Sequence, residues 1–129
     1  MRLEKAEITR MLSADYDAAE LYRQADKVRR ENVGDEVHLR GLIEFSNICR
    51  NNCLYCGIRK GNAHIKRYRM SPEELVETAR KAAALGFKTI VMQSGEDMFF
   101  DTKTMCGILE KIKKFDVAIT LSIGERSYE

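Results

Sequence analysis

Apolar positions along this chain recur in two periods, and the switch between them orders the elements. Val37, Leu39, Gly41, Ile43 and Phe45 alternate with His38, Arg40, Leu42 and Glu44, the period of two expected of a strand. Ahead of it, Leu21, Ala25 and Val28 share one face of a helix predicted from Asp17 to Glu31, which Asn32 and Gly34 stop, and a shorter helix fits residues 2–12. Downstream, Ser71-Pro72-Glu73-Glu74 is a helix start: Ser71 caps, Pro72 sits where its missing N–H costs nothing, and Glu74 closes a capping box. That helix runs to Leu85 and stops at Gly86. Thr89 to Gln93 reads as a second strand. Asp101 caps a helix with Met105, Ile108, Leu109 and Ile112 at helical spacing, and Val117 to Ile123 reads as a third strand.

Strand, helix, strand, helix, strand is the order of parallel βαβ units with right-handed crossovers, hence an α/β sheet or barrel preceded by N-terminal helices. The chain ends at Glu129, before a third crossover helix, so the reading is of a truncated domain with its third strand at an open edge. Residues 1–34 form an N-terminal helical extension and residues 35–129 the first part of the barrel domain. One connection breaks the pattern. Ser46 to Ser71 joins the first strand to the first barrel helix, where such loops usually need about 2–6 residues, and loops of that length are usually functional.

Composition changes this picture little. The 22 basic and 20 acidic side chains leave a net charge of +2, too small to make nucleic acid or a membrane the default partner. The first residues lack the apolar core of a secretory signal and no stretch approaches a membrane span, so a cytoplasmic location is expected. Thiols stay reduced there, which makes Cys49, Cys53 and Cys56 metal ligands or catalytic groups rather than a disulfide framework.

All three lie in the long loop, spaced C-x3-C-x2-C, which lets a tight loop present three thiolates to one small inorganic centre. A four-iron cubane held by three protein ligands keeps one iron open to chelate a substrate. A structural zinc site would ask for a fourth ligand, and Cys106 and His64 are the candidates; Cys106 otherwise packs in its helix, His64 is an exposed loop residue and His38 a half-buried strand residue. Gln93-Ser94-Gly95-Glu96 ends the second strand and Ser122-Ile123-Gly124-Glu125 the third. Parallel strands end on the same side, so both segments converge with the cysteine loop where α/β folds place their sites, unless each is simply a polar turn. Gly95 lets backbone approach a ligand closely. Between Cys49 and Met70 no residue is acidic, whereas Arg50, Arg59, Lys60, Lys66, Arg67 and Arg69 are basic. This is a positive rim for an anionic centre, a nucleic-acid patch, or a solvated surface.

Cys49, Cys53, Tyr55 and Cys56 match C-x3-C-x-(aromatic)-C, and in this the chain resembles the radical SAM superfamily. The resemblance implies a partial TIM-like barrel and an enzyme in which Cys49, Cys53 and Cys56 hold a 4Fe-4S cluster. The open iron there binds the methionine moiety of S-adenosylmethionine (SAM), and an electron from the cluster cleaves it to methionine and a 5′-deoxyadenosyl radical. It further implies Tyr55 beside the adenine, if Tyr55 is not loop packing, and SAM contacts from Gln93, Ser94, Gly95, Ser122 and Glu125. Within the superfamily, the runs Gly34 to Arg40, Ile43 to Asn47, Cys56 to Arg59, Arg67 to Glu74, Gln93 to Asp97 and Thr120 to Glu125 resemble the HydE-type maturases of FeFe hydrogenase. That likeness implies an iron-complex or small-molecule substrate, a reductant such as ferredoxin or flavodoxin, and other hydrogenase maturation proteins as partners. Methylornithine synthase is similar through the loop. Biotin synthase carries cysteines at the ends of its second and third strands, where Gln93 and Ser122 stand here. A different class of reading is an inactive, truncated iron-sulfur fragment, since three strands do not enclose a radical.

Overall fold

The structure, a computed structural model, describes residues 3–13 and 15–125. The chain divides into two compact units, residues 1–38 and 39–129. The first holds helices α1 (Lys5–Met11) and α2 (Ala18–Val33). Asp17 caps α2, its Oδ1 accepting from the Ala19 N–H at 2.9 Å, and Gly34 ends it at φ 81°. No residue of either helix is buried, so the face of Leu21, Ala25 and Val28 is not a core face in this unit. Arg2, at the start of the first expected helix, lies outside the described residues.

The second unit comprises β1 (Gly41–Ser46), α3 (Pro72–Ala84), β2 (Thr89–Ser94), α4 (Thr102–Lys113) and β3 (Ala118–Ser122). The strands form one parallel sheet in the order β1-β2-β3, as the alternation of elements requires. The first strand begins at Gly41, not Val37, and His38 lies outside it, exposed. Val37 and Leu39 are 83% and 71% exposed: an alternating pattern makes a strand only where a neighbour pairs with it, and β2 meets β1 from Gly41 onward.

Both helix starts follow their sequence signals. Ser71 Oγ accepts from the Glu74 N–H at 3.1 Å while Glu74 Oε2 accepts from the Ser71 N–H at 2.7 Å, and Asp101 Oδ1 accepts from the Thr104 N–H at 2.7 Å. Leu75 and Ala79 of α3 and Met105, Ile108 and Ile112 of α4 close over the face of the sheet that carries Ile43, Phe45, Ile90 and Met92. Position 106 falls on another face of α4, since one residue turns a helix by about 100°. Cys106 is therefore exposed rather than packed.

On the opposite face the register aligns Leu42, Val91 and Thr120 in one row and Glu44, Gln93 and Ser122 in the next. A register shift between Glu44 and Ser46 marks a bulge at the end of β1, where the chain leaves the sheet for the cysteine loop.

Candidate functional site

The parallel sheet brings Ser46, Ser94 and Ser122 to the same end, and the segments beyond them touch. Glu96 donates its N–H to Cys49 Sγ at 3.4 Å and accepts the Arg50 N–H on its carbonyl at 3.2 Å. Its carboxylate accepts the Glu125 N–H at 2.8 Å and lies 3.6 Å from the Arg50 guanidinium. The cysteine loop, the β2 end and the β3 end thus meet around one residue. Glu96 Oε2 is buried and makes no hydrogen bond among the described residues.

Gly95 is required by that contact. A Cβ there would run into the Ile48 carbonyl and lie 2.8 Å from Cys49 Cβ. Gly124, at φ 79°, stands under the Glu96 carboxylate, which a Cβ would meet at 2.5 Å.

The loop is built by its own polar side chains. Arg67 donates to four backbone carbonyls: Asn47 at 2.6 Å, Ile58 at 2.7 Å, Arg59 at 2.6 Å and Asn62 at 3.4 Å. Asn47 grips the return segment, its side chain bonding the Lys66 carbonyl at 2.9 Å and the Tyr68 N–H at 2.8 Å. Asn52 Oδ1 accepts the Gly61 N–H at 2.9 Å, and Ser46 bridges antiparallel to Arg69. Arg69 forms a two-pronged ion pair with the buried Asp97 at 2.7 and 2.8 Å. Burial acts to raise the Asp97 pKa, but the bonds from Arg69, Ser46 and the Phe99 N–H together hold the carboxyl below the ordinary aspartate value. The bond to Asp97 in turn raises Arg69. Two members of the basic run, Arg67 and Arg69, are therefore braces of the loop, although the Arg69 side chain remains 30% exposed.

Cys49 and Cys56 are half-buried and Cys53 is exposed; none is in a disulfide. The Cys56 N–H donates to the Cys53 carbonyl at 3.0 Å, a turn that closes the motif. Tyr55, at its tip, is 93% exposed and so does not pack the loop. Gln93 and Ser122 are exposed side by side on the uncovered sheet face, and Ser94 Oγ turns onto the Gly95 carbonyl at 2.8 Å. Among the described residues no three His, Cys, Asp or Glu side chains gather as around a single metal ion. His64 and Cys106 are exposed on separate segments. Asp97 was not among the expected site residues, and Glu96, Arg67 and Arg69 were expected only as parts of a polar strand end and a basic run. The carboxylate pair directly after Gly95 was the available signal for two of them.

Known proteins resemble this chain in sequence and fold. Over 105 residues, 81% of this chain, it is 58% identical to the [FeFe] hydrogenase maturase subunit HydE of Thermotoga maritima, of which it spans 30%. The crystal structure of methylornithine synthase (PylB) superposes with a TM-score of 0.83 at 29% identity, covering 96% of this chain and 38% of that one. The FeFe-hydrogenase maturase HydG from Carboxydothermus hydrogenoformans superposes with a TM-score of 0.81 at 31% identity, covering 93% and 29%. The chain thus spans about a third of the length of these relatives. Residues 43–126, from within β1 through the cysteine loop and past β3, match the Radical SAM superfamily, and this chain belongs to that family.

Proposed function

We propose that this chain supplies the cluster- and SAM-binding part of a radical SAM enzyme, a HydE-type maturase of FeFe hydrogenase, working in the cytoplasm. The observation that carries the reading is the junction at Cys49, where the cysteine loop meets the ends of β2 and β3 and a backbone N–H points at the sulfur. The donor set fits a 4Fe-4S cluster. Three undisulfided cysteines sit on one braced loop, and a cubane takes each thiolate on a different iron, so it does not need them gathered as a single ion does. Bound there, the cluster supplies the electron that cleaves SAM.

The chain's own residues then hold and orient. Cys49, Cys53 and Cys56 ligate; Arg67 and Asn47 fix the loop; Gly95 gives the backbone room for a close approach, with neighbouring carbonyls accepting from the SAM ammonium. Gln93, Ser94, Ser122 and Glu125 face ribose or methionine groups, and Tyr55, exposed at the loop tip, covers the adenine. A reductant such as ferredoxin or flavodoxin, a small-molecule or iron-complex substrate and other hydrogenase maturation proteins complete the reading. The identity to HydE supports this subtype, while the superposition on PylB favours methylornithine synthesis as the second reading.

Anaerobic reconstitution should load about one 4Fe-4S cluster per chain, with an EPR signal that changes on adding SAM, and Cys53→Ala should abolish it. Preferential zinc binding, or unchanged iron in the variant, would overturn the assignment. The gene carrying this sequence should restore FeFe hydrogenase activity to a cell lacking its maturase; restoration of pyrrolysine-precursor synthesis instead would select the second reading.

A further inference from the structure

Asp97 joins both ends of the cysteine loop to the turn after β2. Its Oδ2 accepts from Ser46 Oγ at 2.6 Å and from Arg69 Nε at 2.7 Å; its Oδ1 accepts from Arg69 Nη2 at 2.8 Å and from the Phe99 N–H at 3.1 Å. Ser46 stands where the chain enters the loop, and its Oγ also accepts the Ile48 N–H at 3.2 Å, one residue before Cys49. Arg69 stands where the chain leaves it, with its guanidinium 4.3 Å from the Phe99 ring centroid. The carboxylate is 3% exposed, so its bond to Ser46 is made away from water, while its bonds to Arg69 and the Phe99 N–H are part-buried.

The same residue shapes the turn that meets Cys49. The Asp97 N–H donates to the Gly95 carbonyl at 2.7 Å, and the Gly95 N–H donates to the Ser46 carbonyl at 3.2 Å. Between these two bonds lies Glu96, whose N–H reaches Cys49 Sγ at 3.4 Å. Releasing Ser46 or Arg69 loosens the turn against the loop, and this N–H, together with the Arg50 N–H on the Glu96 carbonyl, is a contact that spans them. Cys53, by contrast, is exposed on the loop.

We infer that Asp97 is a positioning residue for Cys49: by holding Ser46 and Arg69 against the β2 turn, it keeps the Glu96 N–H on the Cys49 sulfur and so raises the reduction potential of the cluster that Cys49 anchors. A hydrogen bond to a ligating sulfur withdraws electron density and favours the reduced cluster. The inference rests on the reading of Cys49, Cys53 and Cys56 as cluster ligands.

The test is an EPR-monitored redox titration of the reconstituted chain as wild type, Asp97→Asn and Ser46→Ala, with iron content and circular dichroism recorded for each. Asparagine keeps the shape but turns an NH2 group toward donors that need an acceptor. Both variants should retain all three cysteines' iron, while their midpoint potentials move to more negative values, Asp97→Asn further than Ser46→Ala. If Asp97→Asn does not fold or loses its iron, the potential of the milder Ser46→Ala decides. Wild-type potential and unchanged EPR line shape in the folded, iron-loaded variants would overturn the inference and leave the cluster assignment standing. A wild-type chain that takes up no cluster would sink both.

Discussion

Arg67 is a charged residue whose partners are all backbone carbonyls, and that choice explains how a loop with little regular structure holds a shape. Each of the carbonyls of Asn47, Ile58, Arg59 and Asn62 lacks a helix or strand partner, and one planar guanidinium serves them together. Gly95 represents the opposite constraint, a position where any side chain is too much. Gly95→Ala should destabilise the chain by about 1–3 kcal/mol and reduce iron uptake, because its neighbours are the Ile48 backbone and Cys49 rather than a flexible side chain. Thermal melting and iron analysis of the variant check this; a wild-type melting curve would show that the close approach is not kept in solution. Asp97 adds a pH dependence. Its folded pKa lies below the unfolded value, so the unfolded chain binds the proton more readily, and the stability it contributes is present above the ordinary carboxylate range and lost as pH falls through the folded value. In melts of the cluster-free chain from about pH 6 down to about pH 3, wild type should lose its advantage over Asp97→Asn, and a constant gap would contradict the sign.

At the scale of elements, the helices obey local chemistry and the first strand does not. The capping box of α3 needs only Ser71 and Glu74, so Ser71→Ala should cost about 1 kcal/mol in denaturant unfolding while leaving iron content intact. A change far below that would mean Pro72 and the core contacts of Leu75 suffice to start the helix. The elements β2, α3, α4 and β3 were legible to within a residue or two, because caps and periodicity are written in neighbouring residues. The start of β1 was not. Val37 and Leu39 continue the same alternation as Ile43 and Phe45, and only the partner strand distinguishes them. Cys106 was misplaced for a similar reason, since a small thiol beside the buried Met105 reads as core unless the helix's rotation is known.

At the scale of the molecule, the sheet is covered on one face by α3 and α4, while the row of Leu42, Val91 and Thr120 lies on the other, with Leu42 56% exposed. Among the described residues β3 pairs on one side only, leaving an edge of backbone donors and acceptors. The isolated 129-residue chain should therefore associate as its concentration rises in size-exclusion chromatography and produce no 5′-deoxyadenosine even with cluster bound. A monodisperse monomer that turned over SAM would contradict both expectations. The three cysteines, the parallel α/β order and the strand-end segments were determined by the sequence alone, because spacing, capping and hydrophobic period are properties of adjacent residues. Tertiary structure decided which of the many charged side chains matter. Arg67 and Arg69 look like their exposed neighbours in a basic run, and Asp97 looks like any acid in a turn, until the fold brings residues from the end of β1, the far end of the loop and the β2 turn within hydrogen-bonding distance. No local pattern encodes that meeting, since burial and the partners that make a buried charge tolerable exist only once the chain has closed on itself.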